Sequence, residues 1–453
     1  MSRKTIPMFA LLLVVALMLA ACPAAAPAGG GEAASDSGGG EAAADSGGGE
    51  ATAGSSEGTT LTAMFGAPVR ETEEAAVAYC EEQTGIAVDI QEGPQSATDL
   101  LALYLQFFGA GASDIDFMQI DVIWPGILAE HLVDLRPYLS DEEYASYFER
   151  IVQNNTVDGA LVGIPWFTDA GLLYYRTDLL EKYGYDGPPE TWAELDEMAT
   201  TIQEGERAEN ADFWGFVWQG NAYEGLTCDA LEWQYSWNGG SIVEPDGTIS
   251  INNENAAAAF DMAASWVGRI SPPGVVSYME EDARGVWQGG NAAFMRNWPY
   301  AYSLGNAEDS VIKDKLAAVP LPKGGDDGQN ADTLGGWQMA VSKYSENVDA
   351  AAEFAVCMTG YEAQKIRATQ GSFLPTIGAL YEDEDVLAAN PFFAQLYDVF
   401  AGGAVARPST VTGEDYNQVS TIYFTEVNKV LTGQQTGQEA VESIESQLQG
   451  LLQ

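Results

Sequence analysis

Beyond residue 59 the apolar positions switch repeatedly between a period of two and a period near 3.6. That is the pattern of strands alternating with helices. Leu61–Phe65 is a short apolar run suited to a strand, Glu71–Glu82 reads as a helix stopped by Gly85, and Ile86–Ile90 alternates as a second strand. Thr98–Phe108 carries Leu100, Leu101, Leu105 and Phe108 at helical spacing, and Ile115–Ile120 is again strand-like. Thr191 with Glu194 three residues on is a capping box that opens a helix. Further helices are expected over 255–269, 347–359 and 437–452. The alternation implies α/β layers with mostly parallel strands, where ligands bind beyond the carboxyl ends of strands. Asp121 directly follows such a strand, as do Trp166 after 159–165 and Trp298 after 292–296.

The first 58 residues follow a different logic. Arg3 and Lys4 precede an apolar run, Phe9–Ala21, of 13 residues, too short to span a bilayer comfortably. It ends in Leu19-Ala20-Ala21-Cys22, which resembles a bacterial lipoprotein signal whose Cys22 becomes the lipidated first residue after cleavage. An ordinary secretory peptide with a chance cysteine is the alternative. Residues 23–58 hold no Lys, Arg or aromatic, and Gly29-Gly30-Gly31-Glu32-Ala33-Ala34 recurs from Gly38 and nearly so from Gly47. Such sequence buries too little apolar surface to fold and reads as an acidic tether, reaching roughly 30–36 Å. The expected organisation is thus a signal peptide over 1–21 and a lipidated tether over 22–58. A folded body follows in an extracytoplasmic space, anchored to the membrane.

Charge narrows the function. The chain has 19 Lys and Arg against 67 Asp and Glu, a formal net charge of −48. An acidic surface argues against nucleic acid, and against docking on anionic lipid through a basic patch. His131 is the one histidine in the chain, so an H-E-x-x-H zinc site is impossible and a Ser-His-Asp triad has a single candidate. His131 itself reads as a helix-end or surface residue, and Asp326-Asp327-Gly328 as a turn rather than a calcium loop. No metal, cofactor or catalytic residue is expected. Cys80, Cys228 and Cys357 allow one disulfide with one thiol left over, Cys228 with Cys357 being one such pairing, or three buried thiols.

Aromatic and charged residues supply the positive chemistry. Trp124, Trp166, Trp298, Tyr300 and Trp337 are expected in turns flanked by Gly, Pro or Asn rather than in helical stripes, and Asp121, Asp169, Glu224 and Arg407 occupy similar boundaries. Flat rings pack on the C–H face of a pyranose, carboxylates accept bonds from vicinal hydroxyls, and an arginine fork donates to several oxygens. The combination suits a sugar.

Several segments, in order, carry a family resemblance. They are Asp114–Gly126, Gly163–Arg176, Pro189–Leu195, Trp218–Leu226, Met295–Tyr300, Leu334–Trp337 and Arg407-Pro408. From about residue 60 onward the chain resembles the extracytoplasmic solute-binding proteins of sugar ABC importers, closest to the trehalose/maltose-binding branch. The resemblance implies a two-lobed type II periplasmic-binding fold, each lobe a mixed, mostly parallel sheet flanked by helices, with a hinged cleft. It implies a first lobe of 59–166 plus 304–358 and a second of 167–303 plus 359–453. A sugar would be held in the cleft by closure of a monomer and delivered to ABC permease subunits. Carried over position by position, Asp121 and Asp169 would grip sugar hydroxyls, with Trp298 and Trp337 as stacking platforms. Tyr300 would lie beside Trp298, Gly336 would present backbone, and Arg407 would stand at the cleft mouth. Glu73 and Glu224 match further ligand-binding positions, and Gly93–Asp99 fits a loop that varies across the family. An anchored glycoside hydrolase and a sugar-sensing surface protein are the competing readings.

Overall fold

The computed structural model describes residues 59–452, apart from 326, 394–395 and 397–403. The expected signal peptide, Cys22, the tether and Asp326 lie outside the described residues.

Twelve strands are described: β1 (Thr60–Gly66), β2 (Ala87–Gly93), β3 (Phe117–Asp121), β4 (Thr156–Val157), β5 (Ala160–Leu161), β6 (Ile164–Ala170), β7 (Leu172–Arg176), β8 (Trp214–Val217), β9 (Ala292–Asn297), β10 (Leu316–Val319), β11 (Asp332–Val341) and β12 (Ala404–Val405). One sheet runs in the order β12-β11-β3-β1-β2, with β6 also pairing β11, and a second runs β10-β7-β9-β8. Helices cover both. The alternation of periods therefore read the fold class correctly: mixed α/β, built as two sheet-centred halves. Parallel pairing joins β1 to β2 and β3, β8 to β9, and β11 to β12. The pairs β11–β3, β11–β6, β7–β9 and β7–β10 are antiparallel, more than alternation alone implies. Part of the reason is that Gly171 alone separates β6 from β7. One nearly continuous strand thus serves both sheets, and no crossover helix intervenes.

Local signals work where they are strong. Glu71–Thr84 ends at Gly85, whose φ of 73° is the left-handed cap a glycine accepts without strain. In the helix Trp192–Glu206 the Glu194 amide donates to Thr191 Oγ1 at 3.1 Å, and the Thr191 amide donates back to Glu194 Oε2 at 3.1 Å. That is the reciprocal capping box. The helices Glu254–Trp266, Val348–Thr359 and Gly437–Leu451 fall within a residue or three of their expected bounds. His131 closes a single 3₁₀ turn and contacts the Tyr344 hydroxyl through Nδ1 at 2.8 Å.

Two expectations need correction. Trp166 and Trp337 lie inside β6 and β11 rather than in turns, and Trp166 is buried with its ring stacked on Phe65. The disulfide joins Cys80 to Cys357, leaving Cys228 as the free thiol. Sequence separation gave no guide, because helix packing of Glu71–Thr84 on Val348–Thr359 is what brings those sulfurs together. Leu316–Val319 pairs with β7 in the four-stranded sheet, and Tyr361–Gly371 packs on Glu71–Thr84.

Closing a loop of 277 residues restricts the unfolded chain strongly. Cys80→Ser is expected to lower unfolding stability by about 2–4 kcal/mol in urea titration, whereas Cys228→Ser should cost under about 1.5 kcal/mol.

Candidate ligand-binding cleft

Strand register assembles the site. β11 lies between β3 and β6, and pairs Trp337 with Asp121, Gly336 with Thr168 and Gly335 with Asp169. Two carboxylates, an indole and a glycine pair thus come from three strands at one level. Gly336 has a φ of 128°, and a Cβ there would lie 2.6 Å from the Phe167 carbonyl oxygen. Only glycine lets the strands approach so closely.

All nine candidates line one cavity that opens to solvent: Glu73, Asp121, Asp169, Glu224, Trp298, Tyr300, Gly336, Trp337 and Arg407. Trp124 and Trp166 do not line it. Trp124 instead packs edge-on against Trp337, ring centroids 5.3 Å apart, and braces it from behind.

The carboxylates differ in how much of their hydrogen-bonding capacity is free. Arg407 donates to Asp121 Oδ1 at 2.9 Å and to Glu224 Oε1 at 2.8 Å. Glu224 also accepts from the Tyr416 hydroxyl at 2.5 Å and the Ser420 hydroxyl at 2.6 Å. Its oxygens are therefore occupied, and its visible task is to hold Arg407. Glu73 accepts from Arg367 Nη2 at 2.8 Å and from the Arg70 amide at 3.1 Å. Asp169 is different. It is buried, and its Oδ1 has no hydrogen-bond partner. Burial raises its pKa well above the usual carboxylate range, opposed by the positive charges of Arg367, Arg296 and Arg70.

Sequence reasoning missed several wall residues. Arg70 donates to Glu281 Oε1 at 3.2 Å and lies 4.3 Å over the Tyr300 ring, while the Tyr300 hydroxyl donates to Glu281 at 2.8 Å. The Tyr300 ring also lies nearly parallel to that of Phe373, centroids 6.3 Å apart. Arg367 does not itself line the cavity but lies behind that wall, 3.6 Å over the Trp166 ring and 3.9 Å over that of Phe373. Burial lowers its pKa to about 10 against the opposing pull of Glu73. Gln95 lines the cavity with its Nε2 buried and unpartnered. Arg70 and Glu73, three residues apart at a helix start, were a readable signal; Arg367 and Glu281, on helices distant in sequence, were not.

Two sheet-centred halves, with a polar and aromatic cleft lined from both, define the two-lobed ligand-binding proteins. A family model for bacterial extracellular solute-binding proteins matches residues 52–365, and the chain belongs to that family. A probable ABC transporter-binding protein of Deinococcus radiodurans is 52% identical over 367 residues, covering 81% of this chain and 87% of its own. The maltodextrin-binding protein MdxE of Bacillus subtilis is 25% identical over 73% of each chain. Among solved structures, maltose-bound T. maritima MalE3 superposes with a TM-score of 0.81 at 39% identity, covering 87% of this chain and 100% of that one. An ABC transporter solute-binding protein of Thermotoga lettingae bound with α-D-tagatose gives a TM-score of 0.77 at 25% identity, with 87% and 100% coverage.

Because its pKa is raised on folding, Asp169 binds more protons in the folded than in the unfolded chain between the ordinary carboxylate value and its own. Its contribution to stability is therefore lost as pH rises through that window. Asp169→Asn is expected to stabilise the ligand-free protein by on the order of 1 kcal/mol at pH 8 and by less at pH 4, read by urea unfolding. A gain that does not depend on pH would contradict this electrostatic account.

Proposed function

We propose that this protein is the substrate-binding lipoprotein of an ABC importer. It captures a sugar, a disaccharide of trehalose or maltose type, in the cleft and delivers it to a membrane permease. The observation that carries the reading is the set of buried, unpartnered polar atoms on residues that line the cavity. Gln95 Nε2 and Arg407 Nε are donors without acceptors, and Asp169 Oδ1 is an acceptor without a donor. Buried polar groups without partners are costly, so the ligand must supply both kinds. Hydroxyl groups do that, each donating one bond and accepting others. Trp298 and Trp337 add flat apolar surface beside those polar atoms, which suits a pyranose ring. A neutral ligand fits the charge as well. Arg407, Arg367 and Arg70 are already paired with cleft carboxylates, leaving no free cation among these for an anion.

The maltose bound to T. maritima MalE3, at 39% identity, supports the disaccharide class. In this reading the protein leaves the sugar chemically unchanged. A glycoside hydrolase needs two carboxylates that act on one bond; of the six that line the cavity, Asp121, Glu73, Glu224 and Glu281 are engaged by arginine and Glu280 accepts from Trp298 Nε1 at 3.4 Å. We assign the first lobe to the six-stranded sheet with its helices, including Tyr361–Gly371, and the second to the four-stranded sheet, including Leu316–Val319. The cleft closes as a hinge between them, and the closed monomer is the form the permease recognises. Cys22 carries the lipid and 23–58 is the tether, so the body works outside the cytoplasm while held at the membrane.

Calorimetry with maltose, trehalose and monosaccharides tests the reading. At least one disaccharide is expected to bind with a Kd in roughly the micromolar range, about −8 kcal/mol. Trp298→Ala is expected to weaken it by about tenfold or more while the protein stays folded, about 1.4 kcal/mol of lost stacking. Release of monosaccharide during incubation would overturn the non-enzymatic part. Unchanged affinity in the variant would remove Trp298 from the site.

A further inference from the structure

Behind the cavity lies a buried charged cluster, Arg296, Glu232, Asp229 and Gln219, that does not line it. Arg296, on β9, is buried and does not line the cleft. Its Cζ lies 4.0 Å from the Trp298 ring centroid, so the guanidinium is laid on one face of the indole. Two residues apart on an extended chain, the two side chains leave the same face.

The guanidinium is itself fixed. Its Nε donates to Glu232 Oε2 at 2.9 Å and its Nη2 to Glu232 Oε1, making a two-point fork. Asp229 Oδ1 lies 3.0 Å from Nε, and Nη1 donates to Gln219 Oε1 at 3.1 Å. Gln219 closes the cluster, its Nε2 donating to the Arg296 carbonyl and its backbone amide to Asp229, both at 3.0 Å. Gly171, the residue between β6 and β7, covers the pair: a Cβ there would lie 2.0 Å from Glu232 Oε1 and 2.6 Å from Arg296 Nη2. Glu232 Oε1 also accepts from the Thr333 amide at 3.1 Å, two residues before the Gly335-Gly336-Trp337 segment. The helix Glu224–Ser236 supplies both acids, so a single rigid element serves both indole walls.

We propose that Arg296, locked by Glu232 and Asp229, is a positioning residue for ligand recognition: it fixes the tilt of Trp298 from behind and presents the opposite indole face to the cleft. The proposal rests on the reading that Trp298 stacks against the ligand. Charge balance alone would be served by lysine. A planar fork that stacks on a ring while binding a carboxylate at two points is served only by arginine.

Arg296→Lys, made in the natural background and in Trp298→Ala, tests this with maltose as the calorimetric probe. The expected result is a loss of roughly fivefold or more in affinity in the natural background and under about twofold in Trp298→Ala. Equal losses in the two backgrounds, or none in either, would overturn it, because a merely structural residue does not act through Trp298. A second readout needs no ligand. In protein labelled with 5-fluorotryptophan, the ¹⁹F resonance missing from Trp298→Phe is expected to shift or broaden in Arg296→Lys and in Glu232→Gln; an unmoved resonance overturns the proposal. Should that resonance move while the natural protein binds no maltose or trehalose, the sugar reading fails and the positioning role stands.

Discussion

Arg407 donates to Asp121, which closes strand β3 of the six-stranded sheet, and to Glu224, which opens the helix Glu224–Ser236. All three side chains are withdrawn from water. A charge so buried is tolerable only when paired, and removing one partner costs far more than an exposed ion pair contributes. The same condition recurs at Arg367 with Glu73 and at Arg296 with Glu232 and Asp229. Each pair is built from segments distant in sequence, so each holds parts of the fold in one register. The cleft wall is in effect a set of neutralised charges with aromatic rings laid over them.

Asp169 stands out against that background. It has arginines nearby, yet no donor reaches its Oδ1. The ligand-free molecule therefore carries a cost, which the hydroxyl-bearing ligand proposed above would relieve. Such strain at a site, tolerated because the surrounding structure is rigid, is common where binding is the function. The strand register makes it possible: β11 sets Gly335 opposite Asp169, and a Cβ on Gly335 would lie 3.0 Å from the Trp298 ring. Carboxylate and indole can then share one small space.

Much of this was legible in the chain. The helix stop at Gly85 and the capping box at Thr191 are local devices, decided within four residues, and they were read correctly. Eight of the nine site residues lie in segments that resemble one family in order, Glu73 being matched outside them, and all nine converge on one cavity. Their individual tasks were less legible. Glu224 looks like a ligand group in sequence, but Tyr416 and Ser420 occupy its oxygens, and nothing in the local sequence announces a helix nearly 200 residues away. The same holds for Cys80 with Cys357 and for Glu73 with Arg367, whose partners are chosen by helix packing. Trp166 was misplaced because a strand buried on both faces, as β6 is, loses the alternation that marks where it begins and ends.

A crystal structure of the complex with maltose or trehalose tests the central claim most directly. The account predicts a pyranose ring against the Trp298 indole, with a sugar hydroxyl within about 3 Å of Asp169 Oδ1 and the Arg407 pairs to Asp121 and Glu224 intact. A sugar bound outside this cavity, or bound within it while Asp169 still lacks a donor, would contradict the account.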